Sequence, residues 1–274
     1  MNQIFSKPRA TSWLQQLIFF TEQEALSCIF PVSIFATLAV TQMVHIPGLP
    51  RYDLILLTCL LIQAVMYFSG LETLDEIKVI SLFHVFGLAL EVFKVHHGSW
   101  AYPETAYTKV LGVPLYSGFL YASVASYMCQ AWRRLDLRLL NWPRGRLIWL
   151  FAIAIYLNFF TEQWIPDVRF VLMLLVLVLF WNSKVRYTVA GVNHFMRLPL
   201  SFLLIGFFVW LAENISTFFN AYRYPNQEQG WAFVHTSKIT SWFLLVIISF
   251  ICVAWLKHFK ARISHEEDPI SAVG

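Results

Sequence analysis

The chain has 274 residues, 58% of them hydrophobic and only 13% charged, with a formal net charge of +4. Its mean hydropathy of +0.60 is far from that of a soluble domain, in which roughly 45–50% of residues are apolar and about 25% charged. The balance argues against a soluble enzyme. Without a basic, aromatic-interleaved patch it also argues against a nucleic-acid partner, so the positive excess reads as lysine and arginine kept on one side of a bilayer.

Residues 1–23 interleave Trp13, Leu14, Leu17, Ile18, Phe19 and Phe20 with Gln15 and Gln16, a pattern that predicts an amphipathic helix lying on the membrane surface and ending in FFTEQ. A first span is expected over 25–44, kinked at Pro31, and a second over 54–68 after the turn-forming IPGLPRYD. The third, 77–97, puts Glu91 and Lys94 inside an apolar run, where charges are costly and mark a functional face by default. The loop SWAYPE leads into a fourth span, 113–132, rich in hydroxyls: Tyr116, Ser117, Tyr121, Ser123, Ser126 and Tyr127. Such groups bond between helices or line a polar pocket.

The basic stretch RRLDLRLLNWPRGR precedes a short fifth span, 147–160, which ends in a second FFTEQ; residues 170–181 are a sixth. Lys184, Arg186 and Arg197 fill the next loop. The seventh span, 199–219, carries Glu213 and Asn214, and the eighth, 240–256, closes on Lys257, Lys260 and Arg262. The expected fold class is therefore all-α, a polytopic transmembrane helical bundle of about eight spans. It forms one membrane domain over 24–257, with halves 24–134 and 146–257, and a polar, disordered cytoplasmic tail over 258–274. The positive residues, beginning with Lys7 and Arg9, predict that both termini are cytoplasmic. Cys28, Cys59, Cys129 and Cys252 lie in apolar runs without paired spacing and read as small buried hydrophobes.

An internal duplication of spans 3–4 and 7–8 is expected. Glu91 precedes Tyr102-Pro103 by the interval that separates Glu213 from Tyr224-Pro225, and ASYMCQAWRR matches ISFICVAWLK at almost the same offset. In that match Lys94 faces Ser216, Gly98 faces Asn220 and Trp100 faces Tyr222. The FFTEQ copies, 19–23 and 159–163, sit at a different offset, and this topology sets them on opposite sides of the membrane.

At helical spacing His84, Gly87, Glu91, Lys94 and Gly98 share one face, and Gly206, Glu213, Thr217 and Asn220 share another. Two spans can thus present Glu91 and Glu213 at one depth, dividing into an acid and an anion with Lys94 beside the first. The plainer alternative is that Glu91 and Lys94 neutralise each other at i, i+3 while Glu213 serves an interhelical contact. His84, Trp100, Tyr102, Tyr121, Asn214, Asn220 and Tyr224 are the candidate substrate-binding residues, and Glu22 and Glu162, in the FFTEQ copies, are further candidates. His84, His96, His97 and His235 form no ligand pair on a span, so no metal is expected. No phosphate loop, dinucleotide fingerprint or Ser-His-Asp order occurs, so no cofactor is expected either.

With EVFKVHHGSWAYPE, GVPLYSGFLYASVASY, AENISTFFNAYRYPNQ and the FFTEQ copies in view, the chain resembles the bacterial YoaT-like family of inner-membrane proteins, the domain of unknown function numbered 817. The resemblance covers nearly the whole chain and implies a bacterial inner-membrane location without an activity. A more local resemblance, over one span and one loop, is to membrane carotenoid hydratases and more loosely to membrane lycopene cyclases. It rests on Glu91, Gly98, Trp100, Tyr102 and the LGVP of Leu111 to Pro114. It implies Glu91 as an acid with the Tyr102 loop beside a polyene end, although Lys94 stands where that family has a small residue.

Two functions of different class follow. The first is a cofactor-independent membrane enzyme that protonates a double bond of an isoprenoid-like lipid with Glu91 or Glu213 and holds the cation with aromatics. The second is a proton-coupled small-molecule transporter with its site between duplicated halves; a non-catalytic membrane partner is a third. The expected partners are the bilayer and a lipid-phase small molecule, and nothing in the sequence sets an oligomeric state.

Overall fold

The computed structural model describes residues 12–161 and 164–267, with side chains up to Lys257. Lys7 and Arg9, the Glu162-Gln163 end of the second FFTEQ, and the tail beyond 267 lie outside the described residues.

The chain opens with α1 (Trp13–Ser27), started by a capping box between Ser12 and Gln15, and α2 (Ile29–Val40), set at 60° to it. The bend falls at Cys28 and not at FFTEQ. Pro31 explains the position: it has no N–H to offer the Ser27 carbonyl, so the helical ladder breaks just before it. The expected surface helix therefore runs on through Glu24, and the bent pair together has the length and apolarity of a broken span.

α3 (Arg51–Phe68), α8 (Leu198–Phe218) and the Lys238–Lys257 stretch of α9 (Lys238–Glu267) are each long and apolar enough to cross a membrane. α4 (Leu74–His96) is equally long at 23 residues but carries Asp75, Glu76, Glu91 and Lys94. α5 (Ser117–Arg134) packs on α4, and α6 (Gly145–Thr161) and α7 (Arg169–Phe180) pack on α9. At 12 residues, α7 extends only ~18 Å against ~30 Å of hydrocarbon. The expected sixth span is thus too short to cross as a straight helix.

The all-α expectation needs correction, because two small sheets join the helices. β1 (Lys109–Val110) and β2 (Val113–Pro114) form a hairpin over Leu111 and Gly112, both at positive φ, so Val113 and Pro114 precede the helix they were expected to begin. β3 (Arg138–Leu140), β4 (Lys184–Val189) and β5 (Val192–Arg197) form an antiparallel sheet in that order. Its hairpin turns at Ala190 and Gly191, again both at positive φ, the backbone that matches strand twist in a two-residue turn. The Lys184, Arg186 and Arg197 segment is therefore strand, not loop.

Small residues bring the helix pairs together. A Cβ on Gly87 of α4 would lie 2.5 Å from the Tyr121 ring of α5, and one on Gly206 of α8 would lie 2.9 Å from the Phe243 backbone of α9. At the sheet end Lys257 donates to Glu76 at 2.8 Å, and Arg133 lies 3.4 Å from the other oxygen of Glu76. Together they tie α9 and α5 to the first turn of α4. One apolar core surrounds Phe180, Phe202 and Phe250; the other surrounds Phe30, Tyr52 and Tyr116. The second lies at the opposite end from the sheet, where α4 and α8 finish.

Candidate functional site

α4 and α8 stop in the same way. Gly98 (φ 71°) and Asn220 (φ 53°) each take the left-handed turn after the helix, and the following residue reaches back, Ser99 N–H to Lys94 O at 3.0 Å and Ala221 N–H to Ser216 O at 2.9 Å. Glycine and asparagine are the residues that accept this conformation most readily. The two chains then meet: Ala101 and Arg223 exchange N–H to carbonyl bonds at 2.9 Å each. Arg51 holds this junction from α3, donating to the Phe219 carbonyl at 2.6 Å, the Asn220 carbonyl at 3.2 Å and Glu104 at 2.7 Å.

Each loop folds its aromatics back onto the glutamate of its own helix. Glu91 accepts Trp100 Nε1 at 2.6 Å and Tyr102 OH at 2.8 Å on Oε2, and Tyr121 OH of α5 at 2.8 Å on Oε1. Glu213 accepts Tyr222 OH at 3.3 Å and Tyr224 OH at 2.5 Å on Oε1, and Trp242 Nε1 of α9 at 2.7 Å on Oε2. The loop donors lie nine and 11 residues beyond the carboxylate in both sets, and the helix donors 30 and 29 beyond. Both glutamates are buried, and a buried carboxylate is tolerable only when its lone pairs are satisfied. The rings of Trp100 and Tyr222 stand 6.3 Å apart and those of Tyr102 and Tyr222 6.0 Å.

Between these groups is a cavity of about 60 Å³. Glu213, Trp100, Tyr121, Tyr224 and Trp242 line it, together with three cations, Lys94, Arg169 and Lys238. Lys238 lies 5.0 Å from the Tyr224 ring centroid and 5.6 Å from that of Trp100. Lys94 lies 5.9 Å from that of Phe159. Arg169 donates to Ser241 at 3.1 Å and pairs with Asp167. Burial pushes the Asp167 carboxyl upward, but the Asn158 amide and the backbone and guanidinium of Arg169 outweigh it and hold the group below the ordinary aspartate value.

The family model described as a protein of unknown function, DUF817, matches residues 16–250. The chain belongs to the DUF817 family. It is 57% identical over 249 residues to the uncharacterised protein YoaT of Bacillus subtilis (strain 168), covering 91% of this chain and 94% of that one. No solved structure matches it. The DUF817 match includes both glutamates and all six of their aromatic donors.

Of the residues singled out by sequence, this DUF817 chain gathers Glu91, Glu213, Lys94, Trp100, Tyr102, Tyr121 and Tyr224 at one place. The others have different work. Asn220 is a helix terminator whose side chain accepts from Arg223 at 3.1 Å. Asn214 accepts from the Val234 backbone at 2.9 Å and so pins the approach to α9. His84 packs edge-on to Phe119 at 4.6 Å, close against Gly118. Glu22 is exposed on α1; its neighbour Glu24 instead accepts Tyr127 OH at 2.8 Å. Glu162 lies outside the described residues. Among the described residues no group of three or more metal-ligating side chains forms. Tyr222, Trp242, Arg169 and Lys238 were missed as site residues. Tyr222 had a signal in its match to Trp100; Arg169 and Lys238 had none.

Proposed function

We propose that this DUF817 protein is an internally duplicated, multi-pass carrier of the bacterial inner membrane that moves a small solute together with protons, with Glu91 and Glu213 as the proton-binding groups. The observation that carries this reading is the small cavity of about 60 Å³, lined by Glu213 and three cations and lying against both carboxylate sets, where repeat-built transporters place their sites. Pockets that enclose a drug-sized ligand run to about 300–1,000 Å³, several times larger.

Duplication is supported by the equal intervals from each glutamate to its loop donors and by the Ala101–Arg223 pairing, which joins corresponding positions of the two copies. Contact between equivalent positions is what a two-fold relation produces. An even number of passes with both termini cytoplasmic would set the basic sheet, with Arg138, Lys184, Arg186 and Arg197, on the inner side. The cavity then opens toward the outer side.

The test is charge movement after a pH jump across a layer of proteoliposomes. Wild type is expected to give a transient current, Glu91→Gln and Glu213→Gln each to reduce it, and the double variant to abolish it. An undiminished current in the double variant would sink the reading.

A second reading, a membrane enzyme acting on an isoprenoid-like lipid, is favoured by an open apolar groove of about 470 Å³ beside α4, lined by Phe93, His96, Leu111 and Phe160 among others. Groove and cavity have no lining residue in common, so neither glutamate faces the groove. A lipid that accumulates in cells lacking the protein, with a hydrated or cyclised product that vanishes, would restore this reading over the carrier.

A further inference from the structure

The three-stranded sheet turns one face to the core and leaves the other open. Its register sets Arg138 opposite Arg186, Arg186 opposite Phe195, and both Leu140 and Arg197 opposite Lys184. Side chains alternate across a strand, so these residues share one face. Their neighbours Leu139, Val185 and Met196 point the other way, into the apolar core around Phe180 and Phe250. On the open face Arg138, Leu140, Lys184, Phe195 and Arg197 are all exposed.

Two of the cross-strand pairs on this face are pairs of cations, Arg138 with Arg186 and Lys184 with Arg197. Like charges directly opposite one another destabilise a sheet. Asp136 offsets the first pair, its carboxylate lying 3.5 Å from the Arg138 guanidinium and 3.8 Å from that of Arg186. No ion pair forms at Lys184 or Arg197 among the described residues; Arg197 lies instead 5.0 Å from the Trp181 ring centroid. Nε of Arg186 is buried and makes no hydrogen bond among the described residues. The face thus carries four cations around one carboxylate, and an anion brought from outside would relieve the repulsion between them.

The setting selects the anion. β4 follows α7 with only residues 181–183 between them, and β5 runs directly into α8 at Leu198. Val178 of α7 is 70% exposed and Leu200 of α8 47%, and extended apolar surface of this kind marks contact with a membrane or a partner. The charged face therefore begins where the apolar surface of two helices ends, at the headgroup level of a bilayer. Trp181 and Phe195, both exposed, stand among the cations, and aromatic rings concentrate at that level. A soluble anion would use the charges without the apolar continuity. We infer that the open face of the sheet binds the phosphodiester headgroups of anionic phospholipids. Lys184 and Arg197 hold the phosphate, and Phe195 and Trp181 sit among the upper ends of the acyl chains. The inference does not depend on what the cavity carries.

The experiment follows the rise in melting temperature of the purified full-length protein, in nonionic detergent, on titration with dioctanoyl phosphatidylglycerol. Dioctanoyl phosphatidylcholine and glycerol phosphate are the comparisons. Phosphatidylglycerol is expected to act at a concentration lower than phosphatidylcholine by about tenfold or more, as attraction through several cations near a membrane surface implies. Lys184→Gln combined with Arg197→Gln should weaken the response to phosphatidylglycerol by about tenfold and leave that to phosphatidylcholine unchanged. Without lipid this double variant should melt no lower than wild type, because a like-charge pair is gone. Lys78→Gln, which removes an exposed cation at the start of α4, should respond as wild type does. If the double variant does not melt cooperatively, Arg138→Gln takes its place and should weaken the response by a smaller factor. The inference is overturned if wild type responds to the two lipids alike, or if the folded variants keep the wild-type response to phosphatidylglycerol. It is overturned as well if Lys78→Gln weakens that response as much as the double variant does, since net charge alone would then explain it. Displacement of the lipid by equal concentrations of glycerol phosphate, or by a short oligonucleotide, would assign the face to a soluble anion or a nucleic acid instead.

Discussion

Ala101 and Arg223 stand at equal distances along the chain from Glu91 and Glu213, and they bond to each other through both N–H and carbonyl groups at 2.9 Å. Residues on either side of this pair supply the phenols and indole that close on the two carboxylates. A small displacement of the junction would therefore be felt at both sets of hydrogen bonds at once.

The terminating residues of α4 and α8 should respond differently to substitution. Asn220→Gly keeps the left-handed turn and should be nearly neutral, whereas Gly98→Ala puts a Cβ into that conformation and Asn220→Ala removes the amide that tolerates it and accepts from Arg223, each at a cost of about 1 kcal/mol. Melting temperatures in one detergent would check this, and equal loss in Asn220→Gly and Asn220→Ala would show that the turn is unimportant.

Arg51 should matter for stability more than any exposed cation. Its side chain is only 10% exposed and bonds to two carbonyls of the loop after α8, to the Leu38 carbonyl and Thr41 at the end of α2, and to Glu104. Arg51→Ala leaves these acceptors unpaired and should destabilise by about 3 kcal/mol or more. Arg51→Lys, lacking the planar fork, should recover only part. Full stability in Arg51→Ala would show that the loop is held elsewhere.

Gly87→Ala should disturb one carboxylate set and spare the other. The added methyl would meet Tyr121, forcing the phenol away from Glu91 at a cost of about 1–3 kcal/mol. The pH-jump current is expected to fall toward that of Glu91→Gln, with no further loss when the two changes are combined. Additive losses would show that Gly87 acts by another route.

Glu72, in the turn between α3 and α4, gives a pH dependence of known sign. Burial raises its pKa above the ordinary 4.5, opposed by bonds from Ser126 and Gln63 and assisted by the nearby Glu76. A carboxyl raised by folding contributes most below its unfolded value, and stability declines as pH rises from 4.5 through the folded value. Glu72→Gln keeps an acceptor for Ser126 and removes this decline. The variant should melt with wild type near pH 4 and above it at pH 7; a variant that melts lower at pH 7 would mean that the charged form is the favoured one.

Much of this architecture could be read before the structure, and the limits have physical causes. Equal intervals from glutamate to tyrosine-proline were visible because both partners of each bond lie on one helix and its own loop. The match of Gly98 to Asn220 was visible because few residue types tolerate that turn. The strands β4 and β5 carried their own signal, β-branched and aromatic residues around a two-residue Ala190-Gly191 turn, but within a chain of apolar helices only their charges drew attention. Arg169, Lys238 and Ser241 were beyond reach, since they come to one cavity from helices whose relative placement periodicity does not specify.

The two donor sets differ at two matched positions, Trp100 and Tyr121 on Glu91 against Tyr222 and Trp242 on Glu213. A phenol can give its hydrogen to one neighbour while taking another on its free lone pair, whereas an indole N–H can only give. At these positions the indole stands in the loop of the first set and on the neighbouring helix of the second, with the phenol in the other place. A hydrogen ion handed along such bonds can leave the first set through a neighbouring helix, α5, and the second only through its own loop, so two sets of equal composition would open on different sides.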